Sequence, residues 1–220
     1  MTELVGPSTS AYPQTKVTVA DWLEIALRTL IGEGVEQVRI LPLAKKLGVS
    51  RSSFYWYFKD REDLLNKLLE FWKNKNSASI ISRSSRDSVS ITDALIYLFE
   101  CWIDENVYDP RLDFAIREWA RRSRKIKEVM IRSDDERVAA IAAMFRRHGF
   151  ADQDAFIRAR IVYYMQIGYY SVDPREALRA RIANLAAYVR AFTGAEPQQP
   201  ELQRFLRLTD EVEGRRRLKR

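Results

Sequence analysis

Residues 41–65 read LPLAKKLGVSRSSFYWYFKDREDLL, and this stretch decides the fold. Leu43, Ala44, Leu47, Val49, Phe54 and Phe58 recur at spacings that place them on the facing sides of two short helices, 42–47 and 51–58. Gly48 ends the first and gives the backbone freedom that the turn needs. Ala44 is small where two helices must cross closely. Pro42 suits a first helical position, where its missing N–H has no partner to lose. Ser50 is the expected cap of the second helix, and Asp60 that of the helix that follows. Two short helices joined by a tight glycine turn are the physical form of a helix-turn-helix.

On a wheel of the second helix, Phe54 and Phe58 face inward. Arg51 and Tyr55 form one outward row, and Ser52 and Trp56 the next. These four residues make a face suited to a DNA major groove. Ser50, Ser53, Tyr57 and Lys59 flank it where phosphates run, with Lys45 nearby. Arg51 has the donor fork to read guanine O6 and N7, while Tyr55, Tyr57 and Lys59 are phosphate donors that fix register. Trp56 has two readings: an exposed ring packed on a thymine methyl or sugar, or a lid on the small core. Arg51 and Lys59 also have the plain reading of solvated charge. The plain readings account poorly for three aromatics besides the inward Phe54 and Phe58, an arginine and two serines sharing one short helix.

Outward from this motif the punctuation is helical. Thr18 is placed to cap a helix that ends at Gly32 or Gly34, with Val19, Trp22, Leu23, Ala26, Leu27 and Leu30 at helical spacing. Asp60 opens a longer helix carrying Leu64, Leu65, Leu68, Leu69 and Trp72. Seven serines between residues 77 and 90 predict a helix end and a loop. Cap signals then predict helices from Ser90 to about 106, from Asp109-Pro110 to about 122, over 123–148, over 152–171, and from Asp173-Pro174 to Gly194. No strand-length alternation is found. The expectation is an all-α chain of about nine helices with short connections.

The chain has 220 residues, Lys+Arg 37 and Asp+Glu 30, hence a net charge of +7, which permits a nucleic-acid partner. One cysteine, Cys101, makes no internal disulfide, and one histidine, His148, excludes a multi-histidine metal centre. The start lacks a signal-type apolar core, and no apolar run approaches a membrane span, so a cytoplasmic protein without a membrane partner is expected. No Gly-x-Ser-x-Gly, phosphate loop or other catalytic constellation is present. A non-enzyme with no cofactor and no metal is expected. The basic run 117–127 reads as a solvated face, and no buried charge stands out to mark a ligand.

Residues 17–75 resemble the DNA-binding domain of the tetracycline-repressor (TetR) family of bacterial transcriptional regulators. Leu43-Ala44, Leu47-Gly48-Val49-Ser50, Phe54-Tyr55-Trp56-Tyr57-Phe58 and Lys59-Asp60-Arg61-Glu62-Asp63-Leu64-Leu65 carry the match. Tyr57 stands where the family often has His, and Pro42 departs from its commonest pattern. The resemblance implies a DNA-binding head 17–75 and a helical ligand-binding and dimerisation domain 76–195; the flanks are expected to be a flexible arm 1–16 and, by composition, a polar, basic tail 196–220 that adds non-specific DNA attraction or is disordered. It implies a homodimer on a palindromic double-stranded operator, two recognition helices entering successive major grooves. The last two helices of the body would form the interface, with Phe156, Tyr164, Tyr170, Leu178, Ile182, Leu185 and Val189 as candidates. A small-molecule effector would bind among Phe99, Trp102, Phe114, Trp119, Met130, Met144 and Tyr163, which also read as plain core. The implied function is a ligand-responsive transcriptional repressor. An architectural or partner-controlled DNA binder without a small effector remains the alternative.

Overall fold

The computed structural model describes residues 17–172 and 176–218. The arm 1–16, the Asp173-Pro174 helix start, and the chain's last two residues lie outside the described residues. Among these residues every regular element is helical. The head consists of α1 (Val19–Glu33), α2 (Ile40–Leu47), a 3₁₀ segment (Arg51–Trp56) and α3 (Arg61–Trp72). The body consists of α4 (Ala78–Ser84), α5 (Ile91–Ile103), α6 (Pro110–Arg122), α7 (Arg124–Arg147), α8 (Asp152–Val172), α9 (Leu178–Ala183), α10 (Leu185–Thr193) and α11 (Gln199–Leu218). None of the described helices is long and apolar enough to cross a membrane.

The α1 start is a reciprocal cap. The Asp21 N–H donates to Thr18 Oγ1 at 3.3 Å, and the Thr18 N–H donates to Asp21 Oδ2 at 2.7 Å. Trp22, Ala26 and Leu30 face inward from it. Helix α2 begins two residues before its expected start, so Pro42 is its third residue. Its ring still sits in the first turn, where N–H groups have no intrahelical acceptor. Gly48 ends α2 with φ 69°, a left-handed conformation that costs glycine little.

Two cores result. The first joins Trp22, Leu30, Leu43, Phe54, Leu68 and Trp72 of the head with Leu112, Ile116 and Ala120 of α6 and with Ile126 and Met130 of α7. Packing of the head therefore runs on into the body. The second core fills the space between α4, α5, α7, α8, α10 and α11.

Four sequence expectations are corrected. Residues 51–58 do not form an α-helix: the 3₁₀ segment Arg51–Trp56 replaces it, and Ser50 Oγ pairs with Ser52 Oγ at 2.8 Å instead of capping. The predicted helix end and loop over 77–90 come later than their first serines suggest: helix continues to Ser84, and the connection is confined to 85–90. The π-helical turn Lys73–Ser77 joins α3 to α4 without a break. Asn76 and Ser77 are buried there, so these polar residues serve the interior rather than a solvated connection. The predicted helix from 174 to 194 is two helices that meet at Asn184.

The fourth correction concerns the tail. Residues 199–218 form a packed helix, α11, with Phe205 and Val212 buried. Arg204 donates to Asp93 at 2.7 Å and to Glu100 at 3.1 Å, both on α5. Glu201 accepts from Ser90 and Thr92 at the start of α5. At its other end Arg215 donates to Asp104 at 2.7 Å, and Arg216 to Glu105 at 2.9 Å. Much of the tail's charge is thus spent on α5 and on the two residues that follow it.

Candidate nucleic-acid interface and effector cleft

The 3₁₀ segment is anchored from beneath. Phe54 and Phe58 are buried and stacked 5.0 Å apart, and Trp22 meets Phe54 edge-on at 5.3 Å. Arg61 of α3 donates to the carbonyls of Val38 (2.6 Å) and Val35 (2.7 Å), pinning the connection between α1 and α2. Lys46 reaches Thr29 at 3.0 Å and pairs with Glu33, locking α2 to α1. Asp60 caps α3 through the Asp63 N–H at 2.9 Å. The outward residues therefore sit on a scaffold in which Arg61, Lys46 and Asp60 are engaged in fixing one element to the next.

Arg51, Ser52, Tyr55, Trp56, Lys59, Lys45 and Ser50 are exposed, and Ser53 is half-buried. Trp56 is 74% exposed, which removes its reading as a lid. A tryptophan ring left in water on a well-packed scaffold is a cost that contact with a partner would offset. Arg51 Nη2 donates to the Tyr55 hydroxyl at 3.0 Å, so the guanidinium is held along the segment rather than left to swing. Tyr57 departs from its expected place. It is half-buried, and its hydroxyl donates to the Val17 carbonyl at 2.7 Å. It ties the chain before α1 to the recognition segment, and that bond occupies the proton expected for a phosphate.

In the body the seven pocket candidates do not come together. Phe99 and Trp102 border a small crevice between α5, α8 and α10. Phe114 and Met130 line an open cleft of about 490 Å³ between α6, α7 and α8, and Phe114 and Trp119 line an adjoining groove of about 750 Å³ against the head. Met144 and Tyr163 are fully buried core.

Beneath the 490 Å³ cleft lies a group of charges that the sequence reading missed. Arg117 of α6 and Arg137 of α7 face Asp113 and Asp134. Arg117 donates through Nε to Asp113 (3.0 Å) and through Nη1 and Nη2 to both oxygens of Asp134 (2.9 and 2.7 Å). Arg137, wholly buried, donates to Asp113 (3.0 Å), the Tyr163 hydroxyl (2.9 Å) and Ser77 Oγ (3.0 Å). Trp72, the last residue of α3, donates its indole N–H to Asp113 at 2.8 Å and lies under the Arg137 guanidinium at 4.9 Å. Burial alone would push the Asp113 carboxyl up. The charges of Arg137 and Arg117, with the Trp72 bond, outweigh it and hold the group below the ordinary carboxylate value. Arg117 is therefore no part of a solvated face. The signal was present: charges of opposite sign one turn apart, at Asp113 and Arg117, and again at Asp134 and Arg137, on core-facing positions of consecutive helices.

The interface candidates divide by face. Phe156 and Tyr164 are exposed on α8, together with Ile157 and Ile161, and Arg160 lies over both rings. Ile182, Leu185 and Val189 are buried in the chain's own core. Leu178 and Tyr170 are half-buried against that core, and the Tyr170 hydroxyl donates to the Trp102 carbonyl at 2.7 Å. The stripe on α9 and α10 points inward because α5, α8 and α11 already cover it.

Residues 23–68 match the family model of bacterial regulatory proteins, tetR family. The HTH-type transcriptional regulator AcrR of Shigella flexneri is 40% identical over 48 residues, which is 22% of either chain. The match thus spans about a fifth of that curated relative's length. Across the whole body the likeness is one of fold. GusR of Salmonella enterica superposes with a TM-score of 0.62 at 19% identity, over 80% of this chain and 93% of its own. PfmR of Thermus thermophilus, a TetR family transcriptional regulator, gives 0.60 at 18% identity, over 83% and 98%. The head, residues 23–68, is thus similar in sequence to the tetR family of bacterial regulatory proteins, and the layout of the helices is shared with these structures.

Proposed function

We propose that this protein is a cytoplasmic, homodimeric, sequence-specific DNA-binding repressor that leaves a palindromic operator when a small molecule binds its body. One observation carries the DNA-binding part: Arg51, Tyr55 and Trp56 stand in water on a segment whose opposite face is locked into the head core. Arg51 is the base reader, steadied by Tyr55. Trp56 supplies an apolar face for a thymine methyl or sugar. Lys45, Ser50, Ser52, Ser53 and Lys59 supply phosphate contacts, and Tyr57 sets the height of the segment from inside.

Helix α8 supports the dimer. Its inner face carries Ala155, Ala159, Val162 and Tyr163, and its outer face carries Phe156, Ile157, Ile161 and Tyr164. A helix apolar on both faces is stable when both are covered, and a second copy is the simplest cover. The cleft between α6, α7 and α8 supports a small effector over a purely partner-controlled binder, since its volume falls in the range of ligand sites.

Selection of random duplexes on the purified chain at physiological salt tests this reading. The expected product is a palindrome whose half-sites lie about one helical turn apart. Recovery of no preferred sequence would sink it in favour of an architectural role. Affinity for the recovered site should fall steeply with salt, as phosphate contacts release counterions.

A further inference from the structure

We propose that the cleft between α6, α7 and α8 binds a small amphipathic organic anion, a carboxylate carried on an aliphatic or aryl body. Only its use as an effector rests on the function proposed above; the binding step stands by itself.

The charges come first. The lining contains Arg117, Arg121 and Lys127 against a single carboxylate, Asp113. Asp113 is already satisfied by Trp72, Arg137 and Arg117. The charges of half-buried Arg117 and Asp134 and buried Arg137 and Asp113 sum to zero, and Arg121 is paired with Glu118 at 3.3 Å. Lys127 then leaves an uncompensated positive charge at the opening, and a monoanion balances it.

The donors come next. Arg117 has five N–H groups, and four hydrogen bonds to Asp113, Asp134 and Tyr163 leave one N–H over on a side chain that borders the cleft. Tyr108 is a buried cleft residue whose hydroxyl makes no hydrogen bond among the described residues. Burial pushes that phenol up, so it is a hydroxyl donor at any physiological pH. A spare guanidinium N–H and a spare phenol are the pair that a carboxylate accepts from. Apart from Ser171 the remaining wall is apolar, with Phe114, Met130, Ile167 and the ring of Tyr170, which stacks on Tyr108 at 6.0 Å. An acidic head at Arg117 and Tyr108, with a hydrocarbon body against these side chains, satisfies both parts of the cleft.

The test uses the full chain, its tryptophan fluorescence and titration calorimetry. The probes are decanoate and 4-phenylbutyrate, each compared with its methyl ester. Saturable binding of at least one acid is expected, with the ester about tenfold weaker, the equivalent of one charge-assisted hydrogen bond. Tyr108→Phe, which keeps the stacked ring, and Lys127→Gln, at an exposed site, should each weaken the acid and leave the ester unchanged. Circular dichroism checks that both variants fold. Ester binding equal to acid binding, no saturable binding of either acid, or insensitivity to both substitutions would overturn the proposal. An acid that binds with this pattern but leaves the operator complex intact supports the site and refutes its effector role. A chain that binds the acid yet no DNA refutes the function proposed above and leaves the site standing.

Discussion

Replacing Arg137 by methionine tests whether the charge group between α3, α6 and α7 is a structural keystone. The side chain is fully buried, and methionine matches much of its hydrocarbon length. The substitution removes bonds to Ser77, Asp113 and Tyr163 and the cation over Trp72. Asp113 keeps Arg117 and Trp72, but the four-charge group goes from neutral to one net negative charge in a buried place. Breaking such a group by deleting one member costs about 3–5 kcal/mol. Arg137 Nη2 has no partner, so part of its own desolvation cost vanishes with it, and the lower end of that range is expected. For a chain of this size about 1 kcal/mol moves the midpoint by roughly 2–4 °C, so melting should fall by about 6–12 °C. Far-ultraviolet circular dichroism with urea titration at neutral pH measures it. Pairing the change with Asp113→Asn restores neutrality and should recover about 1–2 kcal/mol, the coupling of residues in one network. A single-variant loss below about 1 kcal/mol, or strict additivity in the double variant, would refute the reasoning.

Asp113 also fixes a pH dependence. Its folded pKa lies below the free value of 3.8, so its stabilising effect is complete above that value and is lost as pH falls through the folded pKa. Asp113→Asn should flatten the acid limb of a stability-against-pH curve below about 3.8, and an unchanged limb would count against it. Trp56→Ala should leave the melting temperature within about 1 °C, because the ring is exposed, while weakening the selected operator in a mobility-shift assay. Tyr57→Phe should cost about 1 kcal/mol of stability through the lost bond to the Val17 carbonyl, and leave the salt slope of DNA binding unaltered. A shallower slope would put Tyr57 back on the phosphates. Truncation after residue 195 should expose the Phe205 and Val212 seats and leave Asp93 and Glu100 without Arg204, which calorimetry would register as a lowered or absent cooperative transition.

The head was legible because each local signal there points the same way. Thr18 and Asp60 form the caps that their spacing suggests, Gly48 takes the left-handed turn, and Phe54 and Phe58 face inward. At Tyr57 an intermediate wheel position fits solvent and core equally well. Only the position of the Val17 carbonyl, a long-range fact, decides between them. The serine-rich composition of 77–90 announces a helix end and a loop but not where the helix stops, because buried Ser77 and Ser84 let it continue to residue 84. Helix α11 was hidden for a related reason. A sparse apolar stripe, Phe205 and Val212, is completed by ion pairs to α5, and pairing across 111 residues leaves no local trace. The cleft was the least legible part, since core and cavity use the same residue types at the same spacing.

The unbroken run from α3 through the π turn into α4 makes the head a lever rather than a bead on a string. Its junction is gripped on both sides. Asn76 donates to the Asp109 carbonyl at 2.8 Å and accepts from the Asp109 N–H at 3.2 Å, and Trp72 holds Asp113 one turn further along. Helix α3 has 12 residues, about 18 Å of rigid arm. A tilt of about 10° at the junction would swing its free end by roughly 3 Å, and two such arms moving apart would change their span by about twice that. On the palindromic operator proposed above, with grooves about 34 Å apart on a stiff duplex, a displacement of that size would take one reading segment out of phase with the other. In the dimer proposed above, a tilt that began beside Asp113 would therefore reach the bases.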